Sequence, residues 1–69
     1  MDSNYVINRL KTTLYKYPTV ELLRLRLKNL DENKRLEVIG SLKKEVWREK
    51  NIDIHEPLVE LLYRMPLAS

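Results

Sequence analysis

The sequence predicts an all-α fold, a small single domain of about four helices. Three observations lead there. Apolar residues recur at helical spacing in several separate segments. The chain holds one Gly and three Pro, fewer turn residues than an all-β fold usually needs. Hydrophobic residues make up 43% of the composition, enough for a core and too many for a disordered chain. With 69 residues, one domain spanning 1–69 is the natural organisation.

The first segment runs from about Asn4 to Tyr17. Ser3 or Asp2 can cap it by accepting hydrogen bonds from the free first-turn N–H groups. Val6, Ile7, Leu10, Leu14 and Tyr17 share one helical face, and Tyr5, Arg9, Thr12 and Lys16 share the opposite one. Pro18 ends the segment, since the residue before a proline is pushed out of the α region.

The second segment covers 19–30, with Thr19 as its N-cap. Residues 22–28 admit two readings. Leu23-Arg24-Leu25-Arg26-Leu27-Lys28 alternates as a half-buried strand would, while Val20, Leu23, Leu27 and Leu30 form a helical stripe. Helix is preferred because the segment is built from Leu, Arg, Lys and Glu and has a single β-branched residue. Leu22 and Leu25 then fall on the far side of the stripe. Such a helix either lies between two layers or offers leucines to a partner.

Asp31 is the next cap, and the third segment covers 32–50. Leu36, Ile39, Leu42, Val46 and Trp47 are its apolar positions and spread over an arc of roughly 160°. Gly40 stands mid-segment, where it costs about 1 kcal/mol relative to Ala. Close approach of another helix would account for it; a tolerated defect is the plainer account. The two central segments, 19–30 and 32–50, are expected to pack as an antiparallel hairpin.

Residues 51–56 read as a connector. Pro57 suits the first turn of a last helix, where its missing N–H is not needed. Leu58, Leu61, Leu62 and Met65 form the apolar face of that helix, Glu60 and Arg64 are spaced for an i,i+4 pair, and Pro66 stops it. Leu67-Ala68-Ser69 is expected to be a loose tail. The expected core comprises Val6, Leu10, Leu14, Leu23, Leu27, Leu30, Ile39, Leu42, Val46, Leu58, Leu61 and Leu62.

No constellation for chemistry emerges, so a non-enzymatic protein is expected. Nucleophilic catalysis needs an activated Ser, Cys or Thr. The single histidine, His55, falls in the connector, Ser3 and Ser69 lie near the termini, and Ser41 is on a polar face. Asp53, His55 and Glu56 lack the further ligands that a zinc site draws from separate elements. No metal, cofactor or small-molecule substrate is therefore expected. No apolar run is long enough to span a bilayer, and Met1-Asp2-Ser3-Asn4-Tyr5 lacks the plan of a signal peptide. With no cysteine as well, a cytoplasmic location is the expectation.

Two binding roles remain. The first is a small regulatory or accessory protein acting by protein–protein interaction, through self-association, a larger protein, or both. It rests on the surplus apolar residues Leu22, Leu25, Leu36, Gly40 and Trp47. A leucine-rich chain this short gains burial by associating, so a homo-oligomer is expected in preference to a monomer. The second is nucleic-acid binding. Net charge is +3, and residues 5–30 hold Arg9, Lys11, Lys16, Arg24, Arg26 and Lys28 against Glu21 alone. Arg9, Lys16, Arg24 and Lys28 would meet phosphates, with Tyr5 available to stack on bases. Against a helix-turn-helix stands the turn Leu30-Asp31-Glu32-Asn33, whose two acids face where phosphate would lie.

Overall fold

The computed structural model describes residues 1–64 and shows four helices: α1 (Ser3–Thr12), α2 (Lys16–Asn29), α3 (Glu32–Arg48) and α4 (Ile52–Tyr63). No strand occurs among the described residues, so 22–28 is helical. The Cα radius of gyration is 11.1 Å, close to the value of about 11 Å for a compact chain of this length. Met65 and Pro66, expected at the end of the last helix, and the expected tail lie outside the described residues.

Side chains close several helix ends. Asp2 accepts from the Tyr5 N–H at 2.9 Å and caps α1. Asp31 accepts from the Lys34 N–H at 2.8 Å and caps α3. Asn51 caps α4, accepting from the Asp53 N–H at 3.0 Å. Each carboxylate or amide satisfies a first-turn donor with no intrahelical partner.

Three element boundaries differ from expectation by three residues or more, and α3 stops at Arg48, short of Lys50. α1 ends at Thr12, one turn before Tyr17. The Thr12 hydroxyl donates back to the Asn8 carbonyl at 2.9 Å, and the Tyr15 N–H donates to the Thr13 hydroxyl at 3.1 Å. Consecutive threonines thus offer the backbone a turn in place of another helical turn. α2 accordingly begins at Lys16, and Pro18 sits in its first turn, where an N–H is dispensable. Thr19 is not the N-cap. It is buried inside α2, its hydroxyl 2.9 Å from that of Thr13. α4 begins at Ile52, so Asp53-Ile54-His55-Glu56 is helical rather than a connector, and Pro57 lies inside the helix and in the core. A proline there removes one hydrogen bond and crowds the carbonyl four residues back.

The core consists of Val6, Ile7, Leu10, Val20, Leu23, Leu27, Val38, Leu42, Ile54, Leu58 and Leu61. Leu30, Ile39, Val46 and Leu62 pack against it from partly buried positions. Leu14 departs from expectation at 90% exposed. Once α1 stops at Thr12, Leu14 is in the connector and no longer shares the Val6–Leu10 face. Val38 and Ile54 are buried although the helical stripes of the sequence did not include them.

α4 is the hub of the packing. It lies against α2 most extensively and then against α3, while α1 touches all three other helices. Direct contact between α2 and α3 is the sparsest of the pairings. The two central segments are joined through Leu30 and Asp31, and each reaches the core mainly through α4.

Candidate interaction surfaces

α2 uses one face for the core, through Thr19, Val20, Leu23 and Leu27. At 100° per residue, Pro18, Leu22 and Leu25 fall on the opposite face. All three are exposed, Leu22 and Leu25 at 57% and 58%. Among the described residues the helix therefore has a packing layer on one side only. Of the two arrangements its sequence allowed, it takes the one that leaves leucines in water.

α3 repeats the pattern. Val38 and Leu42 are buried, with Ile39 and Val46 beside them. Leu36, Gly40, Lys43 and Trp47 line the opposite face at spacings of four, three and four residues. Leu36 is 61% exposed and Trp47, the single tryptophan, 87%. A Cβ built on Gly40 meets nothing within 4 Å. Packing among the described residues thus supplies no reason for glycine there. Lys43 leans off the stripe, its Nζ 5.9 Å from the centroid of the Tyr63 ring on α4.

The cations of the basic first half are divided between two kinds of work. Lys16 belongs to α2, so it does not share a helical face with Arg9, Thr12 and Tyr5. Its ammonium donates to the carbonyls of Leu10 at 2.6 Å and Thr13 at 3.0 Å, closing the end of α1. Arg24 is the most occupied. Only 14% of its side chain is exposed, and Nη2 donates to the carbonyls of Glu60 at 2.6 Å and Arg64 at 2.8 Å, while Nη1 pairs with Glu21. Arg35 does the same at the end of α2, donating to the Leu30 carbonyl at 3.2 Å. A cation at a helix C-terminus satisfies free carbonyls and meets the negative end of the helix dipole. Arg9 and Lys28 remain exposed. Tyr5 is engaged by Arg26, whose guanidinium lies 5.5 Å from its ring centroid and donates to its hydroxyl at 3.2 Å. Sequence spacing identified these residues as basic; it carried no sign that Lys16 and Arg24 serve helix ends contributed by distant or preceding segments.

A shallow open depression of about 200 Å³ is lined by Met1, Arg26, Asn29 and Leu30. Ligand pockets run from about 300 Å³ upward and bring several polar groups together. His55 is half-buried in α4. Among the described residues no group of three or more His, Cys, Asp or Glu side chains is placed to hold a metal ion, and no helix is long and apolar enough to cross a membrane. Comparison of the chain with protein-family models, with curated proteins and with solved structures finds no match.

Proposed function

We propose that this chain is a small non-catalytic interaction module, of the regulatory or accessory kind, that works by contacting protein through the outer faces of α2 and α3. One observation carries the reading: Leu22 and Leu25 on α2, and Leu36 and Trp47 on α3, point away from a core that other faces already complete. An apolar stripe left in water costs roughly 25 cal/mol for every Å² it fails to bury. A tryptophan at 87% exposure is the kind of anchor that interfaces favour. The nucleic-acid reading has less to draw on, because Lys16 and Arg24 spend their charge on backbone carbonyls.

The test separates folding from binding. Leu22→Glu, Leu36→Glu and Trp47→Ala should keep the helical circular dichroism and melting temperature of the parent, since none is part of the core. The same variants should lose association, read by sedimentation velocity for self-association and by photo-crosslinking from position 36 for other proteins. Variants that match the parent in both assays would remove the proposal. Fluorescence anisotropy with labelled duplex and single-stranded DNA at two salt concentrations decides the rival reading. Submicromolar binding with a steep salt slope would transfer the function to Arg9, Lys28 and their neighbours.

A further inference from the structure

We infer that the outer face of α3 is an isologous surface that pairs antiparallel with the α3 of a second copy, the two helices crossing near Gly40. The inference rests on the interaction-module reading and names its partner.

The first support is the position of Gly40. α3 runs from Glu32 to Arg48, a 17-residue helix of which Gly40 is the midpoint. Glycine weakens a helix most plainly in its interior. Among the described residues, nothing beyond its own chain neighbours and helix backbone comes within 4 Å of the Cβ it lacks, and the residue is exposed. A second helix crossing at this point gives the missing side chain a purpose, because two backbones can then approach closely. An isologous contact places residues near the two-fold axis against their own copies. The midpoint of the paired helix is where a small residue has that effect twice.

The second support is charge. Around the helix axis Glu37 and Lys44, seven residues apart, lie within about 20° of each other and share one flank of the stripe. Both are exposed. A two-fold axis perpendicular to the helix reverses its direction and keeps like flanks together. Glu37 of one chain then lies beside the partner's Lys44, and the contact occurs twice. The same reversal sets Leu36 across from the methylene stem of the partner's Lys43 and about 4.5 Å along the axis from the level of its Trp47, again twice. A parallel pairing would instead bring this flank to the one holding Ile39 and Val46, which turn inward to the core, and Glu37 would keep only the Lys34 ammonium of its own chain, 3.7 Å away. An acid-first, base-last order also suits the helix dipole, but the dipole gives no account of Gly40, Leu36 or Trp47. Lys43 interrupts the stripe with a methylene stem, and its ammonium is drawn aside toward Tyr63.

The experiment is a charge swap read by sedimentation equilibrium on the full chain over a wide concentration range. Glu37→Lys and Lys44→Glu should each weaken the dimer, by about five- to thirtyfold in dissociation constant, since each places two like-charged contacts in one interface. The double variant Glu37→Lys with Lys44→Glu should restore it. These positions are two helical turns apart and do not meet within a chain, so restoration requires contact between copies. Gly40→Ala provides a second reading with opposed signs: the monomer melts at a higher temperature while the dimer dissociates more readily. Trp47 emission should shift to shorter wavelength over the concentrations at which the dimer forms. A monomer at all concentrations, or a dimer indifferent to the single reversals and to Gly40→Ala, would overturn the pairing. The interaction-module reading would survive either result if crosslinking from position 36 still captured another protein that Trp47→Ala fails to bind, and it would fall with the pairing if that contact were absent too.

Discussion

Arg24 brings a charged group into a largely buried position, where its two terminal nitrogens find acceptors and its buried Nε has none among the described residues. Two carbonyls at the end of α4 and the Glu21 carboxylate receive its guanidinium. Removing the charge while keeping the stem, as in Arg24→Met, leaves those carbonyls to find water at the edge of the fold. Hydrogen bonds involving a charged group contribute about 1.5–3 kcal/mol each, less where solvent can replace them. A loss of about 2 kcal/mol in stability is expected for the variant, read by urea denaturation. Leu10 and Leu14 make a sharper contrast, because one connector separates their fates. Leu10 is fully buried and Leu14 is 90% exposed. Leu10→Ala should cost about 2–5 kcal/mol, whereas Leu14→Ser should stay within about 0.5 kcal/mol of the parent. Equal losses at the two positions would place Leu14 back on the α1 core face. That distinction was hidden in the sequence, where the two leucines stand four residues apart on one continuous stripe. The side-chain bonds of Thr12 and Thr13 decide it, and they are turn chemistry rather than hydrophobic pattern.

At the scale of the element, α3 is the helix whose sequence spoke most plainly. Asp31 precedes it as an acceptor, and Leu36, Ile39, Leu42, Val46 and Trp47 follow at helical spacing. Its start is where the cap placed it, although its end comes at Arg48. Asp31→Ala should cost about 1 kcal/mol, a fall in melting temperature of about 4–8 °C for a domain of this size. Gly40→Ala should raise monomer stability by about 1 kcal/mol, since the added methyl meets open space and helix propensity alone decides the sign. α4 was harder to read, and the reason is Pro57. Proline is most at home in a first turn, which argued for a start at Pro57. The Asn51 cap and the burial of Ile54 hold the extra turn that precedes it. Local preference loses there to tertiary packing. For α2, composition settled helix over strand, and the exposure of Leu22 and Leu25 follows directly from that choice. The stripe of Val20, Leu23 and Leu27 marked the side that is buried; whether the far side also met a neighbour could not be read from it.

Across the whole molecule, the number and class of elements were legible, and the arrangement was not. Each amphipathic segment shows one apolar face, and faces of similar width do not say which helix they meet. The structure assigns the central place to α4, against which both α2 and α3 lie. A chain ending at Lys50 should therefore lose cooperative unfolding and most of its helical signal, although α1 to α3 are all present. Helicity comparable to the full chain in that truncation would show that three helices suffice. The cations in the nucleic-acid reading illustrate the same limit. Their sequence positions are basic, but the bonds that occupy Lys16 and Arg24 end on carbonyls of other helices.

The order in which the helices leave the ribosome bears on this arrangement. α1, α2 and α3 emerge first, with their apolar faces bare, and wait for the segment that completes them. Short helices without tertiary support are marginal in water, so the nascent chain is expected to stay open until Ile54, Leu58 and Leu61 arrive, as the truncation ending at Lys50 would test. On that expectation α1 to α3 stay open to chaperones and proteases in the interval, and the rate at which α4 docks sets how long that exposure lasts.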